Sequence, residues 1–311
     1  MKVRSFLKLV EIQTKIASVI PFTLGTVYAL YRFNTFNLKN FLLMFVSLLT
    51  FDMATTAINN YCDYKRAVKK HGYNYEMHNG IVKYNLSEIY VKAIICILLI
   101  IATTFGVLLY LNTNIIVLII GIISFSVGIF YSFGPIPISR MPLGEMFSGI
   151  FMGFIIVFLA VYIHVNESII SLMYNNGFLT LQMNLKEVIY IFLLSIPTIN
   201  CIANVMLANN ICDIDDDKEN KRYTLPIYLG KENSLAIFKA MYYIAYIDII
   251  LLIVLRITPA ISIITLLTFI IINKNISLFF EKQTKRDTFV LSVKNLIIMN
   301  LVQIILLSIM I

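Results

Sequence analysis

The sequence predicts an all-α fold: a polytopic membrane bundle of about nine transmembrane helices, formed by residues 1–311 as a single domain. Composition is the first reason. Hydrophobic residues make up 59% of the 311, mean hydropathy is +0.84 and only 14% of residues are charged. A soluble domain of this length has no interior large enough for so much apolar surface. Run length is the second reason, since a helix needs about 20 apolar residues to cross a bilayer. The third is the lopsided placement of Lys and Arg, a mark of bilayer-inserted chains.

Nine apolar runs qualify, at about 14–32, 39–60, 89–110, 114–133, 143–165, 188–208, 233–255, 258–273 and 289–310. Very short links join the third to the fourth and the seventh to the eighth, so those boundaries are set least sharply. With the runs placed alternately, segments on one side hold seventeen basic residues, among them Lys2, Arg4, Lys8, Arg140, Lys231, Lys274 and Lys285. The other side holds four: Arg32, Lys39, Lys186 and Arg256. This positive-inside bias predicts a multi-pass protein of the cell (plasma) membrane. The amino terminus and loops 61–88, 134–142, 209–232 and 274–288 are expected in the cytoplasm, and the carboxyl terminus outside.

The net charge of +8 gathers on that cytoplasmic face, where anionic lipid or an anionic substrate would meet it. The partners expected are the lipid bilayer and no nucleic acid, because the basic residues scatter among loops without a recognition module. Cys62, Cys96, Cys201 and Cys212 sit in or beside spans at no metal-ligand spacing, and read as reduced, small apolar residues. The first apolar run is long and lacks a small-residue cleavage site, which argues against a cleaved signal peptide.

The densest chemistry follows the sixth run. Asn209-Asn210-Ile211-Cys212-Asp213-Ile214-Asp215-Asp216-Asp217 puts four carboxylates into five residues. On a helix Asp213 and Asp217 share one face, with Asn209 a turn earlier, while Asp215 and Asp216 point elsewhere and read as lying behind the ligands or as solvated. Like charges so crowded repel unless a cation shares them. Oxygen ligands of this kind suit Mg²⁺, a hard ion that keeps waters and completes its shell from substrate phosphate. A plain solvated acidic helix end is the competing reading.

A second cluster, Asn59-Asn60-Tyr61-Cys62-Asp63-Tyr64-Lys65-Arg66, follows the second run, and there Asn59 and Asp63 are again four apart. Asp52 lies deeper in the span, where an acid either serves function or pairs with a neighbouring helix. Basic residues trail both clusters: Lys65 and Arg66, then Lys218, Lys221 and Arg222. Carboxylates and cations at one aqueous pocket suit a polyphosphate, with metal bridging acid to phosphate and Lys and Arg neutralising a departing diphosphate. In any basic loop, plain topology is the alternative. An anion transporter would use the same cations, but acids without metal repel its cargo.

These residues carry a resemblance to the UbiA superfamily of membrane prenyltransferases, and within it to the branch acting on 1,4-dihydroxy-2-naphthoate in menaquinone synthesis. Glu11-Ile12-Gln13-Thr14-Lys15 with Ser18 and Pro21 resembles that branch's opening. Asn59 to Lys65 is similar to its first aspartate motif, and Asn209 to Asp217 with Thr224-Leu225 and Leu229-Gly230 to its second. Tyr131-Ser132-Phe133-Gly134-Pro135-Ile136-Pro137 with Gly144-Glu145 resembles its loop between the fourth and fifth helices. Asn60 departs from the family's usual Asp, the later acid expected near Lys69 is absent, and Cys212 stands where relatives often carry Arg.

The resemblance implies a helical bundle around a central cavity with cytoplasmic polar caps. It implies Mg²⁺-dependent transfer of a polyprenyl group from polyprenyl diphosphate to an aromatic acceptor. In this branch the acceptor loses its carboxyl as CO₂, giving demethylmenaquinone. Asp63, Asp213 and Asp217 would be catalytic, and the metal would be held by Asn59, Asp63, Asp213 and Asp217. Lys65, Arg66, Lys221, Arg222 and Lys15 would steady the diphosphate. Asn60, Asn209, Asn210, Tyr131 and Glu145 would lie behind the ligands or beside the acceptor. Glu145 also reads as a helix-start acid, and Tyr131 as an interface anchor. His71, His78 and His164 share no spacing and lie away from the chemistry. Loop 67–85, with Gly72 and Gly80, is expected to be a mobile cap. Another acceptor (4-hydroxybenzoate or haem) and a non-catalytic relative are the rival readings.

Overall fold

A computed structural model describes residues 3–66, 79–135, 137–175 and 177–311. Among these, nine helices are long and apolar enough to cross a membrane. A short α1 (Val3–Leu9) and a 3₁₀ turn (Ile12–Lys15) precede α2 (Ile16–Phe33) and α3 (Leu38–Arg66). After α4 (Gly80–Tyr84) come α5 (Glu88–Leu111) and α6 (Ile115–Ser132). Then α7 (Gly144–Ser148) runs through a π-helical stretch (Gly149–Ile155) into α8 (Ile156–Val165).

The second half starts with α9 (Leu185–Cys212), followed by the short α10 (Ile214–Glu219) and α11 (Leu225–Leu229). The long α12 (Lys231–Val254), a 3₁₀ stretch (Ala260–Leu267) leading into α13 (Thr268–Glu281), and α14 (Phe289–Ser308) complete it.

The order of packing explains how the two ends of the chain meet. α3 lies on α5, α2 on α8, and α9 on both α12 and α14. α14 also packs on α2, which closes the bundle. Large apolar side chains fill the interior, with Phe22, Tyr28, Tyr162, Phe238 and Tyr242 buried among them. Polar pairs stitch helices together where water cannot compete: Thr198 Oγ1 donates to Asn300 Oδ1 at 2.7 Å and Asn204 Nδ2 to the Phe238 carbonyl at 2.9 Å. At the end opposite the motifs, Arg32 grips Glu187 with two bonds of 2.7 and 3.2 Å, fixing the finish of α2 to the start of α9.

Several expected boundaries move. The second span does not stop at 60 but continues as helix to Arg66, so Asn59 to Arg66 is a helix end rather than the opening of a loop. Neighbouring elements supply partners for its polar side chains and keep the turns intact. The eighth span reaches Glu281 instead of 273, which leaves Lys274 inside α13 and shortens the following loop. Residues between the fifth and sixth spans form an unforeseen antiparallel hairpin, Ile170–Asn175 with Phe178–Met183, its turn carrying Gly177 at φ +84°. Of the expected cap 67–85, residues 67–78, with His71 and His78, lie outside the described residues. Its remainder is helical: Asn79 accepts from the Ile81 and Val82 N–H groups, and Gly80 packs against Leu9.

Glycine permits close helix approaches. Gly149 and Gly153, one turn apart, face α9, and a Cβ at Gly153 would lie 2.6 Å from Ile199 Cα. Such small-residue pairs let two backbones touch where no hydrophobic force drives association. Gly153→Ala should therefore destabilise the protein by about 1–3 kcal/mol. Gly121→Ala, whose Cβ would meet nothing within 4 Å, should change the thermal midpoint in detergent little. Equal midpoints for the two variants would refute this account of the packing.

Candidate functional site

The motif ends of α3, α6 and α9 converge, tied by bonds between three loops. Arg66 donates to the carbonyls of Gly134 (2.6 Å) and Ser132 (3.4 Å), and Ser132 Oγ donates to Asn59 Oδ1 at 2.9 Å. The segment after α6 is in turn bonded to the one after α9. The Tyr223 N–H donates to the Arg140 carbonyl (3.1 Å), Arg222 Nη2 to the Ser139 carbonyl (3.3 Å), and Arg140 Nη1 to the Asn220 carbonyl (3.5 Å).

α9 ends where Asp213 leaves helical geometry, at φ −105° and ψ 7°, in the sparsely populated bridge region. α10 follows at once, and the Asp217 N–H donates to the Asp213 carbonyl at 2.7 Å. The i, i+4 spacing therefore survives the break. Both carboxylates are buried, at 5% and 2% exposure, while Asp215 and Asp216 face water as the helical period requires.

Each buried acid has a cation. Asp217 Oδ1 lies 3.3 Å from Arg222 Nη1 and its Oδ2 accepts from Thr224 Oγ1 at 3.1 Å. Asp213 Oδ2 lies 2.5 Å from Lys285 Nζ. Burial pushes the Asp217 carboxyl up to about 6, an effect that outweighs the opposing pull of Arg222. Burial alone would lower Arg222, but the carboxylates of Asp217, Asp63 and Asp213 together hold it above its ordinary value. Asp63, from the first motif, thus acts on the same guanidinium as the second motif's acids. Arg140 joins them: burial lowers its pKa first, Asp63 and Asp217 oppose that, and Arg222 and Arg66 reinforce it. Three guanidiniums and three carboxylates share one neighbourhood.

On the other flank Asn210 Nδ2 donates to Glu145 Oε1 at 2.8 Å, with Asn209 Nδ2 bonded to Asn210 Oδ1 at 3.4 Å. Ser148 Oγ donates to the Tyr131 hydroxyl at 3.1 Å, and Glu145 and Arg222 are both within electrostatic reach of Tyr131. Among the described residues, two buried atoms here have no partner, Glu145 Oε2 and Arg222 Nε. One is an acceptor without a donor, the other a donor without an acceptor.

Several expected residues lie elsewhere. Lys15 is buried and bonded to Asp52 Oδ1 and to Thr56 Oγ1 at 2.7 Å, while Ser18 Oγ donates to Asp52 Oδ2 at 2.6 Å. Asp52 is thus paired across helices, with Lys15 as its counter-ion. Lys65 extends to Glu88 at 2.7 Å on an exposed face. Lys221 is exposed, with a left-handed backbone at φ +54°. His164 Nδ1 accepts the Asn37 N–H at 3.0 Å at the opposite end of the bundle. Cys212 and the other three cysteines are free thiols.

Arg140 and Lys285 were missed as site residues. Neither belongs to a motif, and only its charge could have flagged it.

The donors fit a hard divalent ion in one way only. Among the described residues no three His, Cys, Asp or Glu side chains come close enough to enclose a metal. Asp213 and Asp217 with Asn59 and Asp63 offer oxygen ligands from two helix ends, which suits an ion that takes its remaining ligands from water and phosphate. Asn60 is engaged through its amide nitrogen. Its Nδ2 donates to the Leu9 carbonyl at 2.9 Å and reaches Glu11 Oε1 at 3.4 Å, tying the amino-terminal segment to α3. Asn60→Asp would replace a donor by an acceptor facing two acceptors. It should cost about 1–3 kcal/mol of stability and leave a Mg²⁺ titration unmoved. Tighter metal dependence at unchanged stability would contradict that role.

Comparison with known proteins agrees with this geometry. Residues 18–301 match the UbiA prenyltransferase family. The chain is 30% identical over 244 residues to a 1,4-dihydroxy-2-naphthoate octaprenyltransferase of Bacillus subtilis (strain 168), covering 78% of this chain and 71% of that one. A UbiA homologue from Aeropyrum pernix K1 superposes with a TM-score of 0.68 at 21% identity, covering 92% of this chain and 97% of that one. One from Archaeoglobus fulgidus, bound to GPP and Mg²⁺, gives 0.67 at 14% identity over 98% of this chain and 99% of that one. With the family's pattern running through nearly its whole length, this chain belongs to the UbiA prenyltransferase family and is a multi-pass membrane prenyltransferase.

Proposed function

We propose that this enzyme transfers a polyprenyl group from polyprenyl diphosphate to 1,4-dihydroxy-2-naphthoate, releasing diphosphate and CO₂ and giving demethylmenaquinone. The observation that carries the reading is the set of hydrogen bonds that ties the helix ends of both motifs to the one segment after α6, Arg66 and Asn59 on one side and Arg222 and Tyr223 on the other. The acceptor is inferred from the similarity to the Bacillus subtilis enzyme. The chain works as one domain in the cell membrane, with the motif end in the cytoplasm, as its seventeen basic residues against four indicate.

When bound, Mg²⁺ would neutralise diphosphate oxygens and make the group a better leaving group. Asp213, Asp217, Asp63 and Asn59 would hold it. Arg222, Arg140 and Arg66 then lie where negative charge develops as the allylic carbon–oxygen bond breaks and its electron pair leaves with the diphosphate. Interactions that strengthen only as that charge appears accelerate the step itself. The unpartnered Nε–H of Arg222 suits a phosphate oxygen.

The ring carbon of the acceptor supplies the electron pair for the new carbon–carbon bond, and loss of the carboxyl as CO₂ restores the aromatic ring. Glu145 Oε2, buried and without a donor, suits an acceptor hydroxyl, and Asn210 holds the other carboxylate oxygen in place. The apolar interior excludes water that would quench an allylic cation.

The deciding experiment supplies purified protein with MgCl₂, 1,4-dihydroxy-2-naphthoate, competing 4-hydroxybenzoate and a series of prenyl diphosphates, and weighs the products by mass spectrometry. A prenylated, decarboxylated naphthalenediol is expected, with chelator abolishing it. Asp213→Asn and Asp217→Asn should each lower the rate by about 100-fold or more without loss of folded protein. Full activity in both variants sinks the reading, and preferential use of 4-hydroxybenzoate moves it to another acceptor.

A further inference from the structure

Lys285 lies in the loop between α13 and α14, outside every motif, yet its ammonium is 2.5 Å from Asp213 Oδ2. The two cations that neutralise the buried acids differ in how firmly they are held. Arg222 is five residues from Asp217 in the same segment. Its N–H donates to the Asp217 carbonyl at 2.8 Å and its Nη2 to the Ser139 carbonyl at 3.3 Å, so it is built in.

Lys285 arrives from a different helix pair. Its side chain is 35% exposed against 6% for Asp213, and it has no second hydrogen-bond partner among the described residues. The turn that presents it is shaped by other bonds: Lys282 to Asp287 at 2.8 Å and the Thr284 N–H to Thr288 Oγ1 at 2.9 Å. Other lysines nearby do not substitute. Lys65 is engaged by Glu88, and Lys218 and Lys231 line a separate recess with Asp215 and Gln283.

A lysine head is a compact charge on a flexible stem, able to change partners without rebuilding its surroundings. A divalent ion on Asp213 Oδ2 and an ammonium on the same atom repel at that distance, so the two exclude each other there. A diphosphate arriving with the ion offers the displaced ammonium new oxygens a short swing away.

We propose that Lys285 is a substrate-positioning residue: it serves as the counter-ion of Asp213 in the metal-free enzyme and transfers to a diphosphate oxygen when a divalent ion takes the carboxylate. This rests on the metal-dependent reading of the site given above. It makes metal and diphosphate binding mutually supportive, because each relieves the misplaced charge the other creates, and such coupling is reciprocal. Lys285→Met should loosen that link from both sides.

The test is done on the full chain in lipid nanodiscs with MnCl₂ and inorganic pyrophosphate as probes. Free Mn²⁺ is read by electron paramagnetic resonance, and pyrophosphate is titrated calorimetrically at fixed Mn²⁺. Without pyrophosphate, Lys285→Met should bind Mn²⁺ about fivefold more tightly than the natural protein, having lost a competing ion pair. At fixed Mn²⁺ it should bind pyrophosphate about tenfold more weakly. Lys285→Arg should keep pyrophosphate affinity within about threefold of the natural protein. Lys285→Gln, neutral but still able to hydrogen-bond, should follow Lys285→Met and stands in for it if that variant does not fold.

Unchanged Mn²⁺ and pyrophosphate affinities in the neutral variants overturn the proposal for Lys285 and leave the prenyltransferase reading intact. Weaker Mn²⁺ binding in those variants also overturns it, by making Lys285 a structural prop. If the natural protein binds neither probe, the metal-dependent reading falls and takes this inference with it.

Discussion

An ionised carboxylate sunk among apolar helices needs positive charge beside it or it takes up a proton, and at the motif end of this bundle positive charge supplies the balance. Asp217 meets it with Arg222, Asp213 with Lys285, and Asp52 with Lys15. The pairs differ in consequence. Lys15 and Asp52 are sealed between α2 and α3 with Ser18 and Thr56 completing their bonds, which makes them a clamp between helices. The other two pairs stand at the mouth of the bundle, beside atoms that still lack partners. The same electrostatic rule gives a structural joint in one place and a reactive pocket in the other, and the difference lies in what is left unsatisfied.

The loops obey a related rule. Backbone carbonyls of Ser132, Gly134, Ser139, Arg140 and Asn220 accept from Arg66, Arg222, Arg140 and Tyr223 of other segments. The guanidiniums are therefore fixed by the connections they bridge. Planar, many-donor heads can hold a carbonyl and still present N–H groups elsewhere, which suits Arg to the positions that bind two loops together. An arrangement fixed before substrate arrives is what stabilisation of developing charge requires.

Much of this was legible because it depends on short-range periodicity. Hydropathy gave nine spans, and the helical period sorted Asp213 and Asp217 inward from Asp215 and Asp216 outward, even though the helix breaks at Asp213. What stayed hidden depends on contacts between distant segments. Asn60 reads as the first motif's missing acid until Leu9 and Glu11 are seen beside its amide nitrogen. Lys285 is one of many loop cations until α13 proves longer than its apolar run and delivers it to Asp213. The hairpin Ile170–Asn175 with Phe178–Met183 was missed because its two strands fall below the length at which an apolar run in so apolar a chain stands out. Within one turn of helix, spacing is enough; between segments it is silent.

Charge balance then bears on the thinned first motif. Three carboxylates face Arg66, Arg140, Arg222 and Lys285, so the pocket is close to neutral and is no deep acidic well awaiting a bare ion. A divalent ion alone adds positive charge to an already balanced group. On the proposed reading, the ion and a polyanionic diphosphate together leave the balance nearly unchanged, and each lowers the cost of admitting the other. An extra acid at position 60 would break the tie to the amino-terminal segment. On that reading, a site whose acids are already matched by cations favours the metal–diphosphate pair over the metal alone.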